Sequence, residues 1–124
     1  MKIVLICVLL ITFYQYLLAD KETFKIGALI PTEQALGVIG VKVRNSYELW
    51  RDTVNARGGL KIDGKEWEVQ ITFSYVEKNV TDVSIKTSNL LNQNPDLHFL
   101  LLPWSTLLSV PAAVEASSHN INAL

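Results

Sequence analysis

Four consecutive residues late in the chain, Pro103-Trp104-Ser105-Thr106, have the types and spacing best suited to binding chemistry. They lie between an apolar run, Leu97-His98-Phe99-Leu100-Leu101-Leu102, and a helical pattern that begins near Thr106. Two hydroxyls there stand beside the unpaired first-turn N–H groups and the positive end of the helix dipole, a setting that receives a carboxylate. The same hydroxyls also serve as plain helix caps, and both uses stay open. Trp104 either covers the apolar part of a small ligand or acts as a lid over the sheet edge.

Two earlier loops, around residues 31–36 and 76–79, open on the same side if the strands run parallel, because ligands of open parallel sheets bind beyond the carboxyl ends of the strands. Gln34 in the first loop joins Trp104, Ser105 and Thr106 as a candidate ligand contact. Its neighbour Glu33 is either solvated or, turned inward, favours a cationic or polar ligand. Asn79-Val80-Thr81 is an N-glycosylation acceptor in a eukaryotic secretory pathway and serves equally well as a helix cap. His98 and His119 have no second ligand at metal spacing, so no metal site is expected. Gly58-Gly59 follows a helical pattern instead of opening one, and no Ser-His-Asp order with a nucleophile elbow occurs. These readings argue against an enzyme, and no cofactor is implied.

The 124 residues carry a formal charge of −1 and a pI near 6.1. Nothing in that balance points to nucleic acid. Residues 1–19 hold Lys2, an apolar run and Leu17-Leu18-Ala19 before the charged Asp20-Lys21-Glu22, which is the pattern of a secretory signal peptide cut after Ala19. An uncleaved signal anchor is the other reading of this segment. Cys7, the single cysteine, lies inside that run, so the mature chain has no thiol and depends on its core. A secreted, extracellular or periplasmic location follows, with residues 20–124 as one small domain.

The elements that must position the candidate site follow from periodicity. Phe24-Lys25-Ile26-Gly27-Ala28-Leu29-Ile30 reads as a strand, and Val43, Tyr47, Trp50 and Val54 mark one apolar helix face ended by Gly58-Gly59. Asp63-Gly64 predicts a tight turn into Trp67-Glu68-Val69-Gln70-Ile71-Thr72-Phe73-Ser74-Tyr75, whose alternation predicts a half-buried outer strand. Asn79 or Thr81 caps a second helix that buries Val80, Val83, Thr87, Leu90 and Leu91 and ends at Asn94-Pro95. The apolar run at residues 97–102 predicts a strand near the sheet centre, covered on both faces. A third helix, residues 106–118, is expected to turn Leu107, Val110, Val114 and Ala113 inward, with Pro111 in its first turn or at a kink. A fourth strand begins at Ile121-Asn122-Ala123-Leu124 and leaves a sheet edge open to association. Alternating strands and helices imply right-handed crossovers and a three-layer αβα sandwich on a parallel sheet.

Phe24-Lys25-Ile26-Gly27-Ala28-Leu29-Ile30-Pro31, Leu36, Gly40, Asn45, Glu48-Leu49, Asn55-Ala56 and Gly58-Gly59-Leu60 together resemble the opening of the leucine/isoleucine/valine-type solute-binding proteins. That family has the type I periplasmic-binding fold, shared with the ligand-binding region of class C receptors. The resemblance implies a small amino-acid-like ligand held between two lobes, and a membrane transporter or a receptor transmembrane region as partner. A complete two-lobed member is much longer, so the chain is expected to be most of an N-terminal lobe. Residues 103–106 resemble the family's G-P-x-S-S loop, whose hydroxyls hold a ligand α-carboxylate; Pro103, Ser105 and Thr106 match. Leu102 replaces a Gly, Leu107 a small residue, and Glu33-Gln34-Ala35 the family's T-G-P. The alternative of another class is a secreted interaction or decoy module whose open sheet edge pairs with a protein partner.

Overall fold

A computed structural model describes residues 21–124; the expected signal peptide, residues 1–19, lies outside them. The axis of the sheet is β1 (Glu22–Pro31), buried continuously from Ile26 to Pro31, as a strand covered on both faces must be. It pairs in parallel with β3 (Lys65–Val76) on one side and β4 (Phe99–Leu101) on the other. Beyond β4 lies β5 (Asn122–Ala123), also parallel, while β2 (Leu60–Ile62) pairs antiparallel with β3. The strand order is β2-β3-β1-β4-β5. Asp63 and Gly64, at φ of 49° and 76°, form the β2–β3 turn that their sequence predicts.

Four helices connect these strands: α1 (Glu33–Leu36), α2 (Ile39–Ala56), α3 (Val80–Gln93) and α4 (Thr106–Ser118). The chain moves through α2 from β1 to β3, then through α3 back past β1 to β4, so right-handed crossovers place these helices on opposite faces. Alternate side chains of β1 agree. Leu29 joins Val83, Leu90, Leu91, Leu100, Leu108 and Ala112 in the core under α3 and α4, whereas Ile30 faces Gly40 of α2. The architecture is the expected αβα sandwich.

Three particulars of the sheet and of α4 differ from the sequence reading, and in α3 Val80, expected on the buried face, is 48% exposed. The strand at residues 67–75 is not the outermost, because the Asp63-Gly64 hairpin folds β2 onto its free edge. The central strand is β1, and β4 is a three-residue strand between β1 and β5. Among the described residues, no helix covers β4 and β5 on the α2 side, so Phe99 and Leu101 stay half-buried.

The third difference is the face of α4. It buries Leu108, Pro111, Ala112 and Ala116, while Leu107, Val110 and Val114 are 54%, 58% and 64% exposed. Glu115 is the one charged residue in this helix, so no polar stripe told its two faces apart in the sequence. Pro111 lies past the first turn, fully within the helix and buried. In α2, Val43, Tyr47 and Val54 are half-buried and Trp50 is 42% exposed. Gly40 seats the start of this helix on β1, since a Cβ there would lie 1.9 Å from the Pro31 carbonyl oxygen.

Candidate ligand-binding site at the carboxyl ends of the strands

The carboxyl ends of β1, β3 and β4 bring the three expected loops to one edge of the sheet. Two of these loops are latched together. Thr32 N–H donates to the Val76 carbonyl at 2.9 Å, the Thr32 hydroxyl donates to Glu77 at 2.7 Å, and Glu77 N–H donates to the Asp82 carboxylate at 2.8 Å. Asn79 then caps α3, its Oδ1 accepting from Thr81 N–H at 2.8 Å and from Asp82 N–H at 3.4 Å. The amide nitrogen of Asn79, which a glycan would occupy, takes no part in the cap.

The third loop is built differently. Ser105 is the N-cap of α4, yet its side chain makes no capping hydrogen bond. Its carbonyl accepts from Leu108 N–H at 3.0 Å and Ser109 N–H at 2.7 Å. The Ser109 hydroxyl lies 2.6 Å from the Pro103 carbonyl and 2.8 Å from that of Ser105, and donates its single proton to one of them at a time. Ser109 therefore braces the loop from below. Among the described residues the hydroxyls of Ser105 and Thr106, and the N–H groups of Thr106 and Leu107, have no intramolecular partner. Both readings of the hydroxyls thus meet one fact: neither serves as a cap.

Ser105 and Thr106 border a cleft of about 820 Å³. Its floor is Leu101, Leu102 and Pro103, Trp104 forms one wall, and α2 contributes Val43 and Tyr47 from the opposite side. Burial pushes the Tyr47 phenol above its ordinary value, so this wall presents a neutral hydroxyl. Among the described residues, no Asp, Glu, Lys, Arg or His side chain lines the cleft. The arrangement offers unpaired donors at one end and apolar, aromatic surface elsewhere, which suits a small molecule with one anionic and one apolar part.

The structure brings Trp104, Ser105 and Thr106 together and leaves Gln34 apart. Gln34 lies exposed on α1, outside the cleft, while Glu33 borders a separate 230 Å³ depression with Arg44, Asn45 and Tyr75. Val43, Tyr47 and Ser109, with Leu101 and Leu124, are cleft residues that sequence reasoning did not single out as contacts. The i, i+4 spacing of Val43 and Tyr47 was legible, but its orientation toward the third loop was not. His98 has a structural place: its Nδ1 accepts from Lys25 N–H at 3.1 Å, and its ring stacks on Phe24 at 5.0 Å.

No protein-family model matches the chain. Among solved structures it is similar to the branched-chain amino acid transporter substrate-binding protein LivJ from Streptococcus pneumoniae in complex with isoleucine, with a TM-score of 0.69 and 23% identity. The superposition covers 82% of this chain and 28% of LivJ. The fold is periplasmic-binding-protein-like. In an open parallel sheet of this order, the ends of β1 and β4 border the point where the strand order reverses, the general place for a ligand in such sheets. The chain spans well under a third of the length of LivJ.

Proposed function

We propose that this chain is part of the N-terminal lobe of an extracytoplasmic solute-binding protein, and that its cleft takes the carboxylate end of an amino-acid-like ligand. The observation that carries the reading is the start of α4, where unpaired hydroxyls and N–H groups open into an uncharged, aromatic-walled cleft. In this reading Ser105 and Thr106 hold the carboxylate, Trp104 and Tyr47 flank the apolar part, and Gln34 reaches the ligand after closure of a second lobe. That lobe, supplied by further polypeptide, provides the contacts to the ligand's amino group. In a bacterium the loaded protein delivers its ligand to a membrane transporter; in a eukaryote it is the sensing part of a receptor, and Asn79 carries a glycan.

The test is a titration of the isotope-labelled chain with isoleucine, leucine and valine, followed by backbone NMR. Perturbations confined to residues 104–107 and weaker than about 1 mM are expected from half a cleft. Saturable submicromolar binding overturns the half-cleft reading. Shifts elsewhere, or none at these residues, favour the interaction module instead.

A further inference from the structure

The carboxyl-terminal half of β3 has an open edge, on the far side of the sheet from β5. β2 pairs with this edge only at Lys65, Glu66 and Trp67, and the Asn55 carboxamide bonds both the N–H and the carbonyl of Val69. Alternate residues of a strand turn their backbone groups to the same side. Because β3 stays in unbroken register with β1 from Trp67 to Val76, Ile71, Phe73 and Tyr75 follow Trp67 and Val69 in turning N–H and C=O outward. Among the described residues these groups have no intramolecular partner. Folded proteins usually guard such an edge with a charge, a proline or a bulge. Gln70-Ile71-Thr72-Phe73-Ser74-Tyr75 has none of the three.

We propose that this edge receives an extended peptide segment of another protein, which adds a strand to the sheet beside residues 71–75. The donor–acceptor pattern selects the occupant. N–H and C=O recur together at every second residue, about 7 Å apart, a spacing that another extended backbone matches along its whole length. Asn55 already demonstrates the pairing, because its carboxamide has the groups of a peptide unit and occupies the position just before the open stretch. A place for a side chain lies alongside. The 230 Å³ depression bounded by Ile30, Pro31, Val41, Arg44 and Tyr75 adjoins the end of this stretch on the α2 side. There it takes one apolar side chain of the added strand, as pockets for alternate side chains do in this mode of recognition. A second copy of the chain fits less well: antiparallel pairing about Phe73 sets Arg44, 5.4 Å over that ring, against its own counterpart. The inference is independent of the carboxylate cleft, which borders β4 and not β3.

The experiment is residue-resolved amide exchange of the full chain by NMR, alone and with millimolar capped peptides of alternating threonine and valine. The peptide set varies one valine to leucine, phenylalanine, glutamate or lysine. In the free chain the expected result is fast exchange at Ile71, Phe73 and Tyr75 beside slow exchange at Thr72 and Ser74, whose N–H groups face β1. Added peptide is expected to slow the three outward amides at least about 10-fold and to leave Ser105 and Thr106 unperturbed. The same peptides N-methylated at every residue keep their side chains and lose their donors, so they are expected to leave exchange unchanged. Slow exchange of the three amides in the free chain overturns the proposal, and so does an absence of slowing with every peptide. Equal slowing by the methylated peptides, or slowing that follows the concentration of the chain itself, overturns it as well.

Discussion

The carboxamide of Asn55 closes two hydrogen bonds on one backbone residue: Nδ2 donates to the Val69 carbonyl at 2.9 Å and Oδ1 accepts from Val69 N–H at 2.8 Å. The free edge of β3 is covered by β2 at Lys65, Glu66 and Trp67, and Asn55 takes over just beyond them. Asn55→Ala is expected to lower stability by about 1–3 kcal/mol, because it strands a part-buried N–H and C=O; a urea-denaturation midpoint measures this. Gly59 completes the same corner at φ 100°, with the Trp67 carbonyl oxygen 2.1 Å from where a Cβ would stand. At Asn79 the cap and the sequon are separable. Asn79→Asp keeps an oxygen acceptor and removes the glycan site, so stability is expected to hold; Asn79→Ala loses both and costs about 1 kcal/mol. Thermal melts of the two variants, made without glycosylation, distinguish the roles.

At the scale of elements, α4 provides the sharpest contrast, since neighbouring leucines have opposite surroundings. Leu108 is fully buried against the α3 side of the sheet and Leu107 is 54% exposed. Leu108→Ala is expected to cost about 2–5 kcal/mol through lost burial and the cavity left behind. Leu107→Ala should stay within about 0.5 kcal/mol. A larger cost for Leu107→Ala than for Leu108→Ala in chemical denaturation would show that the face expected from sequence, with Leu107 inward, is the one the protein uses. The first strand and helix of the sheet depend on a different device, close backbone approach. Gly40 lets α2 begin directly over the end of β1, and the rest of α2 leans on the sheet with half-buried side chains.

The molecule as a whole is clad unevenly. β1 has neighbours on both edges and helices on both faces, whereas β5 is a two-residue edge strand, and β4 and β5 are bare on the α2 side among the described residues. Amide exchange is expected to be slowest in β1 and fastest in β5, with β4 between them, as measured by mass spectrometry of exchanged peptides. Uniform protection across the three strands would mean that something covers the bare side. A longer protein of the kind represented by LivJ has polypeptide to spare for that purpose, as this chain matches 28% of it. The same unevenness bears on the proposed function, because among the described residues a ligand at the Ser105 and Thr106 donors is bordered only by Trp104, the end of β4 and the Val43–Tyr47 face of α2.

The alternation of strands and helices, the turn at Asp63-Gly64, the cap at Asn79 and the loop holding Ser105 and Thr106 were legible in the sequence. Each depends on local backbone physics: φ preference, hydrogen-bonding side chains and hydrophobic period. The fold class follows from those local signals, because right-handed crossovers leave few ways to arrange them. What tertiary structure decided is sidedness. Leu107, Val110 and Val114 have the spacing of a buried face, yet Leu108, Ala112 and Ala116 occupy it, since an almost uncharged helix carries no polar stripe to orient it. Trp67 to Tyr75 read as an outer strand until β2 closed on its edge. Gln34 and Trp104 share an edge of the sheet by topology, but α1 turns Gln34 to solvent while α2 brings Tyr47 to the cleft. Which side chains meet across a cleft depends on the packing of elements distant in sequence, and local periodicity does not encode that.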